Sequence, residues 1–506
     1  MKSFFLSSLS IMLLLILPLQ AGVDYRVVSP EQLKPIISDF LEDNRNLPKN
    51  KASLALKEYL IKQGFTFAQV IFSETGGVPT LEVKPGFMGQ AQVKGNDHLG
   101  DEGILTNLNW KKGDPFNYSK FYNSTSRLNK YRFVQVDSKL KPVRGHDGEI
   151  QVNADFKVED QYPISPYIKV SNDGTEQSSG WRSTVGLEVW ESLVPNDRLN
   201  LSYTLDPENA SQLSSYFASY QFGSPGLSHT FYAGYSDSEY ENVVSSLSMD
   251  IAGDGFFAGY GGLLSLNSDS LALSFGLSYL DLGSQISLGS TKYNEDLTLL
   301  LPRIGFQGKI SHSGILRGDT YWSVSAVSDF GSTDETELKV QNPELERGFW
   351  VPKASLAFIE PLEILDVEGG IKLKIDGQAS NAPLPTSLKK SIGGMSSVRG
   401  YREREAYGDS GFNMNFEYSF GTEPTSVFGL NGNLQKVFFY DAAHVSSEGT
   451  LTAANDSIGM QSFGAGFLGN FEGNTDFSLQ VGVPLTDTLN TEAHDARTHF
   501  SINFRF

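Results

Sequence analysis

The chain has 506 residues, a formal net charge of −19 at pH 7 and no cysteine. So acidic a chain lacks the basic surface that phosphate backbones need, which argues against nucleic acid as a partner. The missing cysteine fits an exported protein that uses no disulfides. The 34 Phe, 21 Tyr and 50 Gly, at a mean hydropathy of −0.24, favour a membrane β-barrel, because transmembrane strands need only alternate and average hydropathy passes over them.

The N-terminus reads as a secretory signal peptide, residues 1–21, cleaved after Ala21. Lys2 precedes an apolar run from Phe4 to Leu17, and small residues follow at Ala21 and Gly22. Beyond it no apolar run reaches the length of a membrane helix. Residues 22–86 and 87–160 then read as two small α/β modules in tandem. In the first, Ser29 is the expected cap of a helix, with Pro30 at its first position and Gln32 completing a capping box. A second helix runs to about Gln63, where Gly64 ends it, and strands follow around Phe65 to Phe72 and Thr80 to Val83.

The second module opens with a strand near Gln90 to Lys94, a Gly95-Asn96 turn and a short helix near 101–108. Gly113-Asp114-Pro115-Phe116-Asn117 leads into a helix to about Lys130, and strands at Arg132 to Val136 and Glu149 to Val158 close it. In the last strand Ile150, Val152, Ala154, Phe156 and Val158 share one face, the pattern of a half-buried strand.

From 161 to 506 the pattern turns to repeated alternation. Leu271, Leu273, Phe275, Leu277 and Tyr279 alternate with small residues; Phe412, Met414, Phe416, Tyr418 and Phe420 alternate with Asn413, Asn415, Glu417 and Ser419. The intervening small and polar residues suit a watery lumen, and about sixteen such segments can be placed, an even count that returns both chain ends to one side of a membrane. Between the eleventh and twelfth lies a glycine-rich, arginine-bearing loop, residues 391–412, centred on Val398-Arg399-Gly400-Tyr401.

The order Ile-Gly-Gly, Ser-Val-Arg-Gly-Tyr, Gly-Asp-Ser-Gly-Phe in that loop resembles the inward-folded loop of two-partner secretion transporters, the haemolysin secretion/activation type represented by ShlB, FhaC and HecB. The strand-helix-helix-strand-strand order of the second module is that of the POTRA domains such barrels carry. The resemblance implies a membrane all-β barrel of about 16 antiparallel strands preceded by two small α/β POTRA domains, with an inward loop over 385–411. It also implies that Val437-Phe438-Phe439-Tyr440-Asp441 is the family's Phe-x-Asp strand, so that Arg399 pairs with Asp441 inside the barrel and Phe439 shares its face. Ala443 stands where the family has glycine, a departure that bears on how closely the loop backbone packs. Arg402, Glu403 and Arg404 read as solvated loop charges. The closing run to Phe506 resembles the terminal strand recognised by barrel assembly machinery.

Family members usually begin with a helix that plugs the pore; here only a few residues separate Ala21 from Tyr25, so no such helix is expected. The implied function is secretion of a large, unfolded exoprotein from periplasm to cell surface through the outer membrane of a Gram-negative bacterium, the client being caught on POTRA sheet edges. The alternative is an assembly factor of the same superfamily that inserts other outer-membrane proteins. No enzyme, cofactor or metal is expected: the seven histidines are scattered, and Gly253-x-Gly255-x-x-Ala258 lacks the strand-to-helix context of a dinucleotide fingerprint. Arg317-Gly318-Asp319 falls at an expected periplasmic turn.

Overall fold

A computed structural model describes residues 25–506 apart from 45–46, 76, 130–132, 146–147, 176–178, 195–196, 225, 245–246, 268–269, 289–290, 313–316, 365–366, 428 and 450–456. The expected signal peptide and the expected absence of a plug helix fall on residues 1–24, outside those described. Two compact units divide the chain between Tyr162 and Pro163.

In the first unit, β1 (Arg26–Val28), α1 (Lys34–Asp43), α2 (Lys49–Lys62), β2 (Gln69–Thr75) and β3 (Val78–Lys84) form the first module. The sheet order is β1-β3-β2, with β1 parallel and β2 antiparallel to the centre. The entry to α1 differs from the expected capping box: a 3-10 turn at Glu31–Leu33 comes first, and among the described residues the Ser29 hydroxyl bonds only the Pro30 carbonyl. Proline at position 30 has no N–H to give, and its extended backbone shifts the helix start towards Leu33. Leu33, Ile37, Leu56, Leu60 and Leu81 fill the core between helices and sheet.

The second module comprises β4 (Phe87–Lys94), α3 (Asp101–Asn107), α4 (Tyr118–Leu128), β5 (Val134–Arg144) and β6 (Ile150–Asp160), in sheet order β4-β6-β5. Strand β5 runs eight residues past the expected end because its polar half pairs residue for residue with β6 as a hairpin, from Val134 opposite Asp160 to Arg144 opposite Ile150. Val152, Ala154, Phe156 and Val158 are buried against Trp110, Phe116 and Phe121. At the end of β6, burial works to raise the Asp160 pKa, but N–H bonds from Leu99, Asp97 and His98 at 2.6, 2.8 and 3.0 Å hold the carboxyl below its ordinary range.

The modules meet where α2 ends. Gly64 takes a left-handed φ of +92°, its carbonyl accepts from Tyr118 N–H at 2.8 Å, and Asn117 Nδ2 donates to the Gln63 carbonyl at 2.8 Å. A Cβ on Gly64 would lie 2.4 Å from Asn117 Oδ1, so glycine here both ends the helix and admits the second module.

In the second unit sixteen antiparallel strands close a barrel. They are β7 (Ile164–Ser171), β8 (Arg182–Trp190), β9 (Arg198–Leu205), β10 (Leu213–Ser224), β11 (Leu227–Val244), β12 (Leu247–Asn267), β13 (Leu271–Leu288), β14 (Thr291–Ser311), β15 (Asp319–Ser328), β16 (Trp350–Ile364) and β17 (Val367–Gln378). Beyond two short loop strands, β18 (Lys390–Ile392) and β19 (Ala406–Gly408), follow β20 (Ser410–Val427), β21 (Leu430–Ser446), β22 (Ser457–Phe471), β23 (Thr475–Pro484) and β24 (Arg497–Arg505). Five registered pairs, from Ser501 opposite Ser171 to Arg505 opposite Tyr167, join β24 to β7. This pairing of the last strand with the first leaves the sheet without a terminal edge strand.

The alternating residues sort as their chemistry requires. Phe412, Phe416, Phe438, Phe463 and Val481 lie exposed on the outer wall, where lipid would cover them, while Asn413, Asn415, Asp441 and Gln480 point inward. The lumen is not polar throughout, as the alternation leads one to expect. On β14 the inward positions are Leu297, Leu299 and Leu301, covered by α5 (Glu335–Gln341) from the 329–349 connection, with Leu338, Leu345, Phe349, Val351 and Leu384 completing the cluster. The Glu337 carboxylate accepts the Thr298 N–H at 2.9 Å and fixes the helix to the wall.

Candidate functional site

The 379–409 connection between β17 and β20 folds into the barrel as a β18–β19 hairpin whose tip carries Val398, Arg399, Gly400 and Tyr401. All four are buried, Val398 and Tyr401 completely. Five successive wall strands present what they touch. Register aligns Glu417 of β20 with Phe439 of β21, and Gln480 of β23 with His499 of β24.

Arg399 grips two carboxylates. Its Nε and one terminal nitrogen donate to the two Asp441 oxygens at 2.7 Å each, and its backbone N–H adds a third bond at 3.1 Å. The other terminal nitrogen donates to Glu417 Oε1 at 2.6 Å and Gln480 Oε1 at 2.8 Å. The guanidinium carbon lies 3.6 Å from the centre of the Phe439 ring, over its face. Asn415 Nδ2 supplies Asp441 with a further donor at 2.9 Å and reaches the Ser397 carbonyl at 2.5 Å. The planar fork meets its carboxylate bidentately, the arrangement for which arginine is suited and lysine is not.

The neighbours of Arg399 are seated as firmly. Gly400, at φ +97°, donates its N–H to His499 Nε2 at 2.9 Å. A Cβ on Gly482 of β23 would stand 2.5 Å from the Gly400 nitrogen, so loop and wall touch through two glycines. Close approach thus falls at Gly482, and Ala443, at the family's glycine position, instead packs in an apolar cluster with Ile392, Val398, Tyr401 and Met460. The Tyr401 hydroxyl sits 2.9 Å from the Gln461 carbonyl and 2.8 Å from that of Thr486.

Of the residues read from the sequence, Val398 to Tyr401, Phe439 and Asp441 come together. Phe506 lies apart, largely exposed beyond β24, its N–H donating to the Pro166 carbonyl at 2.9 Å. Glu403 is not a solvated charge: it is half-buried and accepts the Met395 N–H at 2.5 Å. Sequence reasoning missed Glu417, Gln480, His499 and Asn415. It also missed Glu405, which accepts the Arg402 N–H at 2.9 Å and the Thr491 hydroxyl at 2.6 Å, and Asp409, fully buried, which accepts N–H bonds from Leu384 and Glu448 at 2.8 Å each.

The fold is thus a closed sixteen-stranded antiparallel barrel with an arginine-tipped loop held in its lumen, in a chain that also carries two small α/β modules. Residues 314–468 match the family profile described as haemolysin secretion/activation protein ShlB/FhaC/HecB. The heme/hemopexin transporter protein HuxB of Haemophilus influenzae strain 86-028NP is 22% identical over 355 residues, covering 68% of this chain and 60% of that protein. HuxB of Haemophilus influenzae is 25% identical over 354 residues, covering 67% and 60%. The chain thus matches about three fifths of the length of these curated relatives. The solved structure of CdiB from Escherichia coli superposes with a TM-score of 0.76 at 16% identity, and CdiB from Acinetobacter baumannii with 0.72 at 18%; each covers 96% of this chain and 90% of its own. At such identities the likeness is one of fold.

Proposed function

We propose that this protein is the outer-membrane transporter of a two-partner secretion pair, passing one large exoprotein in unfolded form from the periplasm to the cell surface. The observation that carries this reading is the 379–409 connection held inside the barrel by Arg399 on Asp441 and Glu417, in a segment that matches the haemolysin secretion/activation family. A latch of this kind holds a loop in a passage that must at other times be open. The HuxB likeness supports a transported cargo. Domain limits at residues 22–86, 87–160 and 161–506 are part of the same proposal, as are periplasmic POTRA modules that receive the client and a terminal Phe506 that serves barrel insertion.

The test compares culture supernatant and outer-membrane proteomes with and without the gene. Loss of one large exoprotein, its unsecreted form held or degraded in the periplasm, supports dedicated secretion. Depletion of many outer-membrane barrels with no single missing exoprotein would replace this reading with the assembly factor.

A further inference from the structure

One stretch of the lumen runs against the acidic character of the chain. Between the wall strands β15 to β17 and the 387–391 part of the inward connection lies a cavity of about 440 Å³, lined among others by Ser323, Ser325, Lys353, Asp376, Lys389 and Lys390. Asp376 is paired with Lys390 and, at 3.7 Å, with Lys374. Lys353 and Arg303 form no ion pair among the described residues. Arg303 stands on the inward face of β14, two residues along from Gly305, which β15 sets level with Lys353 of β16. The cleft lining thus carries Lys353 and Lys390 with Asp376 as its carboxylate, Lys374 stands beside that carboxylate, and Arg303 lies on the neighbouring wall. Lys389 is taken up by the buried Asp409 at 3.2 Å.

We propose that this cleft is a binding site for an acidic peptide segment, whose carboxylates pair with Lys353, Lys374, Lys390 and Arg303 as the chain passes through the lumen. The inference deepens the transport reading and rests on it. The cations come from four separate elements, β14, β16, β17 and β18, and spread along the wall. A single small anion needs convergent donors, whereas an extended chain places successive carboxylates along such a surface. Cations lining a cleft within a watery lumen are screened by salt, so each pairing with a passing carboxylate is weak, salt-sensitive and reversible. Transit needs these properties, because a segment that bound tightly would stall. Lys390 belongs to the inward connection and Asp376 to the wall, so an arriving carboxylate competes for a lysine that tethers the loop.

The test uses the purified full-length protein in detergent and a rhodamine-labelled octaglutamate peptide, with octaglutamine as the uncharged control, read by fluorescence anisotropy at low salt. Octaglutamate binds and octaglutamine does not. Lys353→Gln weakens binding about threefold and Lys353→Gln with Lys374→Gln about tenfold, the scale of solvated ion pairs. Lys169→Gln, on the inward face of β7 and paired to Asp173, leaves binding unchanged. Heat-modifiable mobility on SDS gels verifies that each variant keeps its barrel. Equal binding by all variants, equal binding of octaglutamine, or displacement of octaglutamate by inorganic phosphate at matched ionic strength overturns the proposal. Export of a client is scored separately in cells. Intact export with peptide binding lost from the wild type removes the site and keeps the transporter, while peptide binding without any exported client keeps the site and removes the transporter.

Discussion

The 379–409 connection is anchored in the lumen by a buried arginine between two carboxylates, whereas the 329–349 connection is anchored by Leu338 against the leucines of β14. Both follow odd-numbered strands of the sixteen and so leave the barrel at the same end, and both cover wall that would otherwise face water. The first contact is directional: the Arg399 fork satisfies Asp441 in one register only, and a shift of one residue leaves buried charges unpaired. The second is apolar and tolerates sliding, because burial scales with area rather than with alignment. A charged latch gives two discrete positions, and an apolar cover gives a graded one.

The comparison breaks most sharply at Asp441. Asp441→Ala leaves the buried Arg399 cation with Glu417 as its one remaining carboxylate partner among the described residues, at roughly 3–5 kcal/mol against the latched position. Hydrogen exchange should then rise across 391–408 and stay unchanged across 329–349. Arg399→Ala on top of it should add less than it costs alone, because the Asp441 contact is already gone and only those to Glu417, Gln480 and Phe439 remain to be lost.

Leu338→Ala is the mirror experiment. Opening a cavity over Leu297 and Leu299 costs roughly 2–4 kcal/mol, and faster exchange should be confined to 329–349. Protection lost in both connections together would show that they move as one lid. Gly482→Ala attacks the latch through shape alone. Its methyl group meets the Gly400 nitrogen, and overpacking of roughly 1–3 kcal/mol should expose the loop to protease with every charge still in place.

The smallest effect lies outside the barrel and serves as the reference. Asp160 has a depressed pKa when folded, so the stability it adds to the second module is present above the unfolded carboxyl value and is lost as pH falls through the folded one. Asp160→Asn should cost roughly 1–2 kcal/mol near neutral pH. It should also flatten the acid limb of unfolding followed by Trp110 fluorescence, leaving both lumenal connections unchanged.

The barrel was legible because a period of two leaves a mark on every strand, and the count of about sixteen alternating segments matches the sixteen strands that close it. The Arg399 and Asp441 pairing came from the resemblance, with Phe439 following by alternation. Glu417, Gln480 and His499 left no local signal: each is one polar residue among many on an inward face, and only register across five strands brings them to one level. The α5 cover had a signal that went unread. Asp334 caps the helix by accepting the Thr336 N–H at 2.7 Å, and Glu337 three residues on completes the pattern of a capping box. Its partner in space is instead Thr298 on another strand. The reading of Ser29 failed the other way, since Ser-Pro-Glu-Gln has the letters of a capping box but a 3-10 turn came first.

The most direct measurement is the amount of the missing exoprotein in supernatants of a deletion strain complemented with the wild-type gene or with Arg399→Ala, normalised to the amount of folded barrel in the outer membrane. The account predicts that the wild type restores export and that Arg399→Ala, inserted at equal level, does not. Full export through the Arg399→Ala barrel, or no exoprotein dependent on the gene at all, would contradict it.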